Sequence, residues 1–181
     1  MALAARFRPG SLLDPIEATK TAMATVARRH QELSAEIAQL DAALAELVTH
    51  AAPVLLSKYG VAVQVAAMLL ATVGDNPDRL ASDASFAALC GASPVDASSG
   101  KQVRHRLNRG GDRQANSALW RIVTTRMQHD RRTQAYVARR TAEGKTRREI
   151  VRCLKRYVAR EIYNTLVRNV EPATTITAVA A

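Results

Sequence analysis

In the first fifty residues one set of positions recurs at alternating steps of three and four: Ile16, Thr19, Met23, Val26, His30, Leu33, Ile37, Leu40, Leu44 and Leu47. All but Thr19 and His30 are apolar, and together they hold an a/d heptad register for more than four heptads. The pattern predicts one long helix over about Asp14 to His50 with a narrow apolar seam. Such a seam calls for a partner helix, from another subunit or from a segment absent in this chain. A helix laid on its own domain's core is the alternative.

Beyond Pro53 the pattern changes. Val54 to Leu70 reads as two apolar helical pieces joined by a turn at Gly60, which has the outline of a helix-hairpin-helix. Such hairpins usually carry a second glycine where this chain has Ala62, so packing and phosphate contact both stay open. Gly74 to Pro77 is a turn, and Ser82 to Cys90 is a short helix capped by Ser82 or Asp83. A loop from Ala92 to Gly111 follows. Asp112 or Asn108 then caps a helix carrying Leu119, Ile122, Val123, Arg126 and Met127 on related faces. A further helical piece runs from Arg131 to Thr141. Thr146-Arg147-Arg148-Glu149 is a capping box, opening a last helix with the stripe Ile150, Cys153, Leu154, Tyr157, Val158, Ile162 and Leu166. Its opposite face carries Arg147, Arg148, Arg152, Lys155, Arg156 and Arg160. No window alternates apolar with polar residues, so the chain reads as all-α with no sheet. The expected organisation is a coiled-coil helix over residues 1–52, a compact helical domain over 53–170 and a flexible tail over 171–181.

Charge sharpens this division. The chain of 181 residues is 48% hydrophobic and carries a formal net charge of +10. Residues 1–100 hold 7 Lys and Arg against 10 Asp and Glu, whereas residues 101–168 hold 19 against 5. So lopsided a distribution predicts a polyanion as partner of the second part; a merely soluble basic surface is the plain alternative. Cys90 and Cys153 lie far apart with no metal-ligand spacing, which points away from zinc and disulfides and towards a reduced, cytoplasmic setting. The run from Val61 to Gly74 is too short to span a bilayer, and the N-terminus lacks a signal-peptide core, so no membrane partner is expected.

Candidate chemistry concentrates in Ala97 to Arg113. Ser98 and Ser99 stand among Lys101, Arg104, His105, Arg106, Arg109 and Arg113, with Gly100, Gly110 and Gly111 between them. A serine attacks a phosphodiester where cations hold the non-bridging oxygens, and a Ser-Ser-Gly turn is also an ordinary turn. His105 suits a proton carrier or a phosphate contact, or an unremarked surface residue. Arg147, Arg148, Arg152, Lys155 and Arg156 are read as a second nucleic-acid-binding face. Asp75, Asp78, Asp83 and Asp96 sit at turns and helix starts, where capping explains them, so no metal site is read in this chain. No phosphate-binding loop of the ATPase type occurs, and no cofactor is expected here.

Five blocks occur in order: Gly74 to Leu80, Phe86 to Pro94, Ser98 to Lys101, Asn108 to Asn116, and Tyr136 to Lys145. Through them the chain, from about Arg8 to Leu166, resembles the C-terminal half of the DEDD-class insertion-sequence transposases, a group related to pilin-gene invertases and bridge-RNA-guided recombinases. The resemblance implies an N-terminal ribonuclease-H-like domain whose Asp/Glu/Asp/Asp carboxylates hold Mg2+, a coiled coil joining subunits into a homo-oligomer, and a C-terminal domain with a catalytic serine. The serine directly before the glycine corresponds to Ser99, with Ser98 as the alternative. DNA and a guide RNA are the partners it implies. Nothing here matches the N-terminal domain, so Mg2+ is expected only with that domain, and the chain is expected to be a truncated gene product or a cut domain. The competing expectation is a non-catalytic coiled-coil nucleic-acid-binding protein or transposase remnant.

Overall fold

The computed structural model of the chain describes residues 2–74, 80–96, 105–106, 108 and 110–168. Among these, a 3-10 turn at Ala4–Arg6 precedes α1 (Pro15–Ala51), α2 (Pro53–Leu56), α3 (Val63–Val73) and α4 (Asp83–Leu89). Then come β1 (Val95–Asp96), β2 (His105–Arg106), α5 (Arg113–His129), α6 (Arg131–Ala142) and α7 (Arg147–Arg168). The fold is all-α. Its one departure from a sheet-free reading is the antiparallel pairing of Val95 with Arg106 and Asp96 with His105, too short to leave an alternating pattern in the sequence.

The chain divides into two compact units, Met1–Glu46 and Leu47–Ala181. In the first, Asp14 caps α1 by accepting from the Ile16 amide at 2.8 Å, and Glu17 accepts from the Gly10 amide at 2.7 Å. The hydrogen bonds from Lys20 and the Gly10 amide hold the Glu17 carboxyl below its ordinary pKa. The seam residues Ile16, Met23, Val26, Leu33, Ile37 and Leu40 are exposed, as is Leu47 further along the helix. Thr19 and His30 are exposed too, and Leu44 is half-buried.

The second unit is built around α5, which packs against α3, α6 and α7. Ala115, Ala118, Leu119, Ile122 and Val123 recur at helical spacing along it and are buried. Phe86 of α4 and Ile150, Val158 and Ile162 of α7 complete this core. Asp112 caps α5 through the Ala115 amide at 2.7 Å, and Asp130 caps α6 through the amides of Arg132 and Thr133. The Thr146–Glu149 capping box forms at the start of α7 as expected, with the Thr146 amide donating to Glu149 Oε2 at 2.8 Å. Two residues of α7 depart from the expected stripe. Tyr157 is 54% exposed, and Lys155, expected on the polar face, is only 6% exposed. Helix α7 lies against α2, α4, α5 and α6, so its buried surface is broader than one stripe. The Gly60 turn joins α2 to α3 with φ +80°, and a Cβ there would lie 3.3 Å from the Ile122 carbonyl oxygen. Arg126 Nε donates to the Tyr59 carbonyl at 2.8 Å. Seating on α5 thus explains the glycine, and a phosphate-binding helix-hairpin-helix is not confirmed.

The tightest backbone approach joins the two ends of the segment after α4. Gly91 has φ +63°, and a Cβ on Gly111 would fall 2.2 Å from the Gly91 nitrogen and 2.4 Å from its Cα. The Asp112 amide donates to the Leu89 carbonyl at 2.7 Å. Asn116 Nδ2 donates to the carbonyls of Cys90 at 2.8 Å and Gly91 at 3.2 Å. The chain therefore leaves the helical body at Gly91 and rejoins it at Gly111, in one clasp. Gly111→Ala is expected to cost about 3 kcal/mol, since backbone rather than a movable side chain must give way. Gly110→Ala, whose Cβ would meet only Asn108 Oδ1 at 3.5 Å, should cost within about 0.5 kcal/mol. Urea unfolding followed by circular dichroism separates them, and equal stability of the two variants would refute the clasp.

Candidate nucleic-acid interface

Beside the clasp opens a cavity of about 580 Å³. One wall comes from Gly91 to Pro94, Arg106 and Asn108, on either side of the segment that carries the two serines. The facing wall is α7, with Glu149, Arg152, Cys153, Lys155 and Arg156, and Lys145 stands before that helix. Five cationic side chains thus line the cavity against one carboxylate, and Glu149 is held by the Thr146 cap, which keeps its carboxyl below the ordinary pKa.

These cations differ in what they already hold. Arg156 Nη2 lies 3.0 Å from Asp83 Oδ2, and Arg160 Nε lies 2.8 Å from the same oxygen. Hydrogen bonds from Arg160 and then Arg156 depress the Asp83 carboxyl below its usual range. Asp83 thus ties α4 to α7, whereas Ser82 is the cap, through the Ser85 amide. Lys155 donates to Asn116 Oδ1 at 2.7 Å. Among the described residues no carboxylate forms an ion pair with Lys155, and burial pulls its ammonium pKa down. A buried cation held, among the described residues, by a neutral amide is costly, and an anion in the cavity would relieve that cost. Asn116 links this cation to the clasp, because its amide nitrogen holds Cys90 and Gly91 while its oxygen holds Lys155. Burial pushes the Cys90 thiol up to about 12, so it stays protonated and unreactive at neutral pH.

The candidate residues fall into three groups. Ser98, Ser99, Lys101, Arg104 and Arg109 lie outside the described residues, and His105 is placed through its backbone pairing with Asp96. Arg106, Arg152, Lys155 and Arg156 come together around the cavity. Arg113, at the start of α5, and Arg147 and Arg148, at the start of α7, are exposed and do not line it. Sequence reading missed Lys145 and Asn116 as site residues. Both lie inside blocks quoted for the family resemblance, and that was their only signal.

Residues 52–138 match the Transposase IS116/IS110/IS902 family. The matched stretch runs from α2 into α6 and includes the clasp and Asn116, while α7 lies beyond it. The chain is also similar to the insertion element IS110 uncharacterized 43.6 kDa protein of Streptomyces coelicolor, with 36% identity over 118 residues. That alignment covers 65% of this chain and 28% of the relative. No helix among the described residues is long and apolar enough to cross a membrane.

Because the folded-state pKa of Asp83 is depressed, its contribution to stability is present above the ordinary value of 3.8 and is lost as pH falls through the folded value. Asp83→Asn should therefore lower the melting temperature at pH 7, with the gap to wild type closing below about pH 4. A gap constant from pH 7 to pH 3 would show that the Asp83 pairs do not join α4 to α7.

Proposed function

We propose that this chain is the serine-bearing, DNA-binding part of an insertion-element transposase. The observation that carries this reading is the cationic cavity lined by residues that precede and follow Ser98 and Ser99 in sequence, inside the transposase-family match. The similarity to an insertion-element protein supports it.

In this reading a DNA phosphate sits in the cavity with its non-bridging oxygens towards Arg106, Lys145 and Lys155. Lys155, already desolvated, supplies a fixed charge that needs little reorganisation. Ser99 Oγ bonds to phosphorus while the phosphorus bond to one sugar oxygen breaks. The serine proton ends on that departing sugar hydroxyl, so atoms and charge balance without a further reactant. The product is a phosphoserine ester, and the reverse step with another strand's hydroxyl completes exchange. Lys101, Arg104, His105, Arg109 and Arg113 flank the serines in sequence and extend the phosphate contacts. Arg147 and Arg148 extend them from the exposed start of α7.

Among the described residues no three His, Cys, Asp or Glu side chains converge where a metal could sit. No step above runs through magnesium. By resemblance magnesium belongs with the ribonuclease-H-like domain of such transposases. The exposed seam of α1 favours pairing with a second copy, and a guide RNA supplies target choice. That same seam favours a second reading, a non-catalytic coiled-coil nucleic-acid-binding protein.

Ser99 separates the two. With the ribonuclease-H-like domain that the resemblance implies, guide RNA and target DNA supplied, the wild-type chain should yield a DNA-linked protein band on a denaturing gel, and Ser99→Ala should abolish both that band and strand exchange. Full exchange by Ser99→Ala would remove the nucleophile assignment and leave the binding-only reading.

A further inference from the structure

A second cavity, of about 630 Å³, opens between α5, α6 and α7, beside the Gly60 turn, and the function proposed above does not use it. Its lining combines three tyrosines, Tyr59, Tyr136 and Tyr157, with Arg132 and Arg139. Its carboxylates are already occupied. Arg126 holds Glu161 through two bonds of 2.6 and 3.2 Å, and Asp130 accepts from the Thr133 amide at 3.0 Å as the α6 cap. Tyr136 is half-buried as a back wall, edge-on to Tyr157 with ring centroids 5.9 Å apart and an interplanar angle of 86°. The Arg139 guanidinium lies 5.4 Å from the Tyr136 ring centroid. Tyr59 and Tyr157, by contrast, are 53% and 54% exposed. Two half-open aromatic faces beside Arg132, which makes no ion pair among the described residues, and beside Arg139, whose Nε lies at a loose 3.9 Å from Glu143 Oε1, match what a base and its phosphate require together.

We infer that this cavity binds an unpaired nucleobase of a single-stranded nucleic acid, stacked on Tyr59 or Tyr157 with the adjoining phosphate on Arg132 and Arg139. A base inside a duplex has no free face for such stacking, so the site selects for unpaired strand. Tyr157 also lines the cationic cavity beside the clasp, so the two cavities share a wall residue and one strand can occupy both, phosphate in the first and base in the second. The inference deepens the nucleic-acid role proposed above and rests on it.

The test uses the full 181-residue chain and fluorescence anisotropy with labelled oligothymidine, oligouridine and a mixed-sequence duplex of equal length. Tyr59→Ala and Tyr157→Ala should each weaken single-strand binding about tenfold, and Tyr59→Ala, which stands outside the cationic cavity, should change duplex affinity less than about twofold. Tyr59→Phe and Tyr157→Phe, which keep the ring, should bind as wild type does. A loss confined to the thymidine or the uridine strand names DNA or RNA as the source of the base. Unchanged single-strand affinity in both alanine variants, or equal losses on single strand and duplex in Tyr59→Ala, would overturn the inference. A wild-type chain that binds none of the three would overturn the proposed function and this inference together.

Discussion

Gly91 and Gly111 touch backbone to backbone, and the organisation of the second unit follows from that contact. No side chain fits at Gly111, where a Cβ would overlap the Gly91 backbone, and Gly91 itself takes a left-handed conformation that glycine adopts without strain. The contact fixes where the chain departs after α4 and where it enters α5. It also sets the register between the end of α4 and the start of α5, through the Asp112 amide on the Leu89 carbonyl. Asn116, one turn into α5, reads the same junction by bonding the carbonyls of Cys90 and Gly91.

From this junction the consequences reach α7. The oxygen of Asn116 holds Lys155, so the position of a buried ammonium depends on a backbone contact between two other segments. Desolvating a cation without an anionic partner is a poor route to stability, since an apolar side chain of similar size would pack there at lower cost. Arg156, its neighbour in sequence, shows the contrasting case, because Asp83 compensates it and the pair serves to join α4 to α7. Two adjacent cations on one helix thus have different physical situations, and the one without an ion pair among the described residues faces the cavity beside the clasp. This difference gives Lys155 the stronger claim to a phosphate.

Much of the fold was legible in the sequence because its signals are local. The caps Ser82, Asp112 and the Thr146–Glu149 box depend on residues three apart, and the heptad spacing of α1 is visible by counting. The site was legible only in part. The fate of Lys155 depends on which helices surround α7, and a helical wheel assigns it to the polar face. Asp83 reads as a cap from its neighbours, yet its partners are 73 and 77 residues away. The Gly60 turn carries the spacing of a phosphate-binding hairpin, and only its seating on Ile122 supplies the other reason for the glycine. Lys145 and Tyr157 became site residues through where α6 and α7 meet, which no spacing within one helix encodes.

The claim on which the rest depends is that phosphate enters the cavity beside the clasp, and the salt dependence of duplex binding by the intact chain tests it most directly. Each phosphate contact contributes about −0.9 to the slope of log affinity against log salt. A wild-type slope of about −3 to −5 is expected, shallower by about one in Lys145→Met and by about one in Lys155→Met. A slope near zero, or one that both substitutions leave unchanged, would mean that phosphate does not bind there.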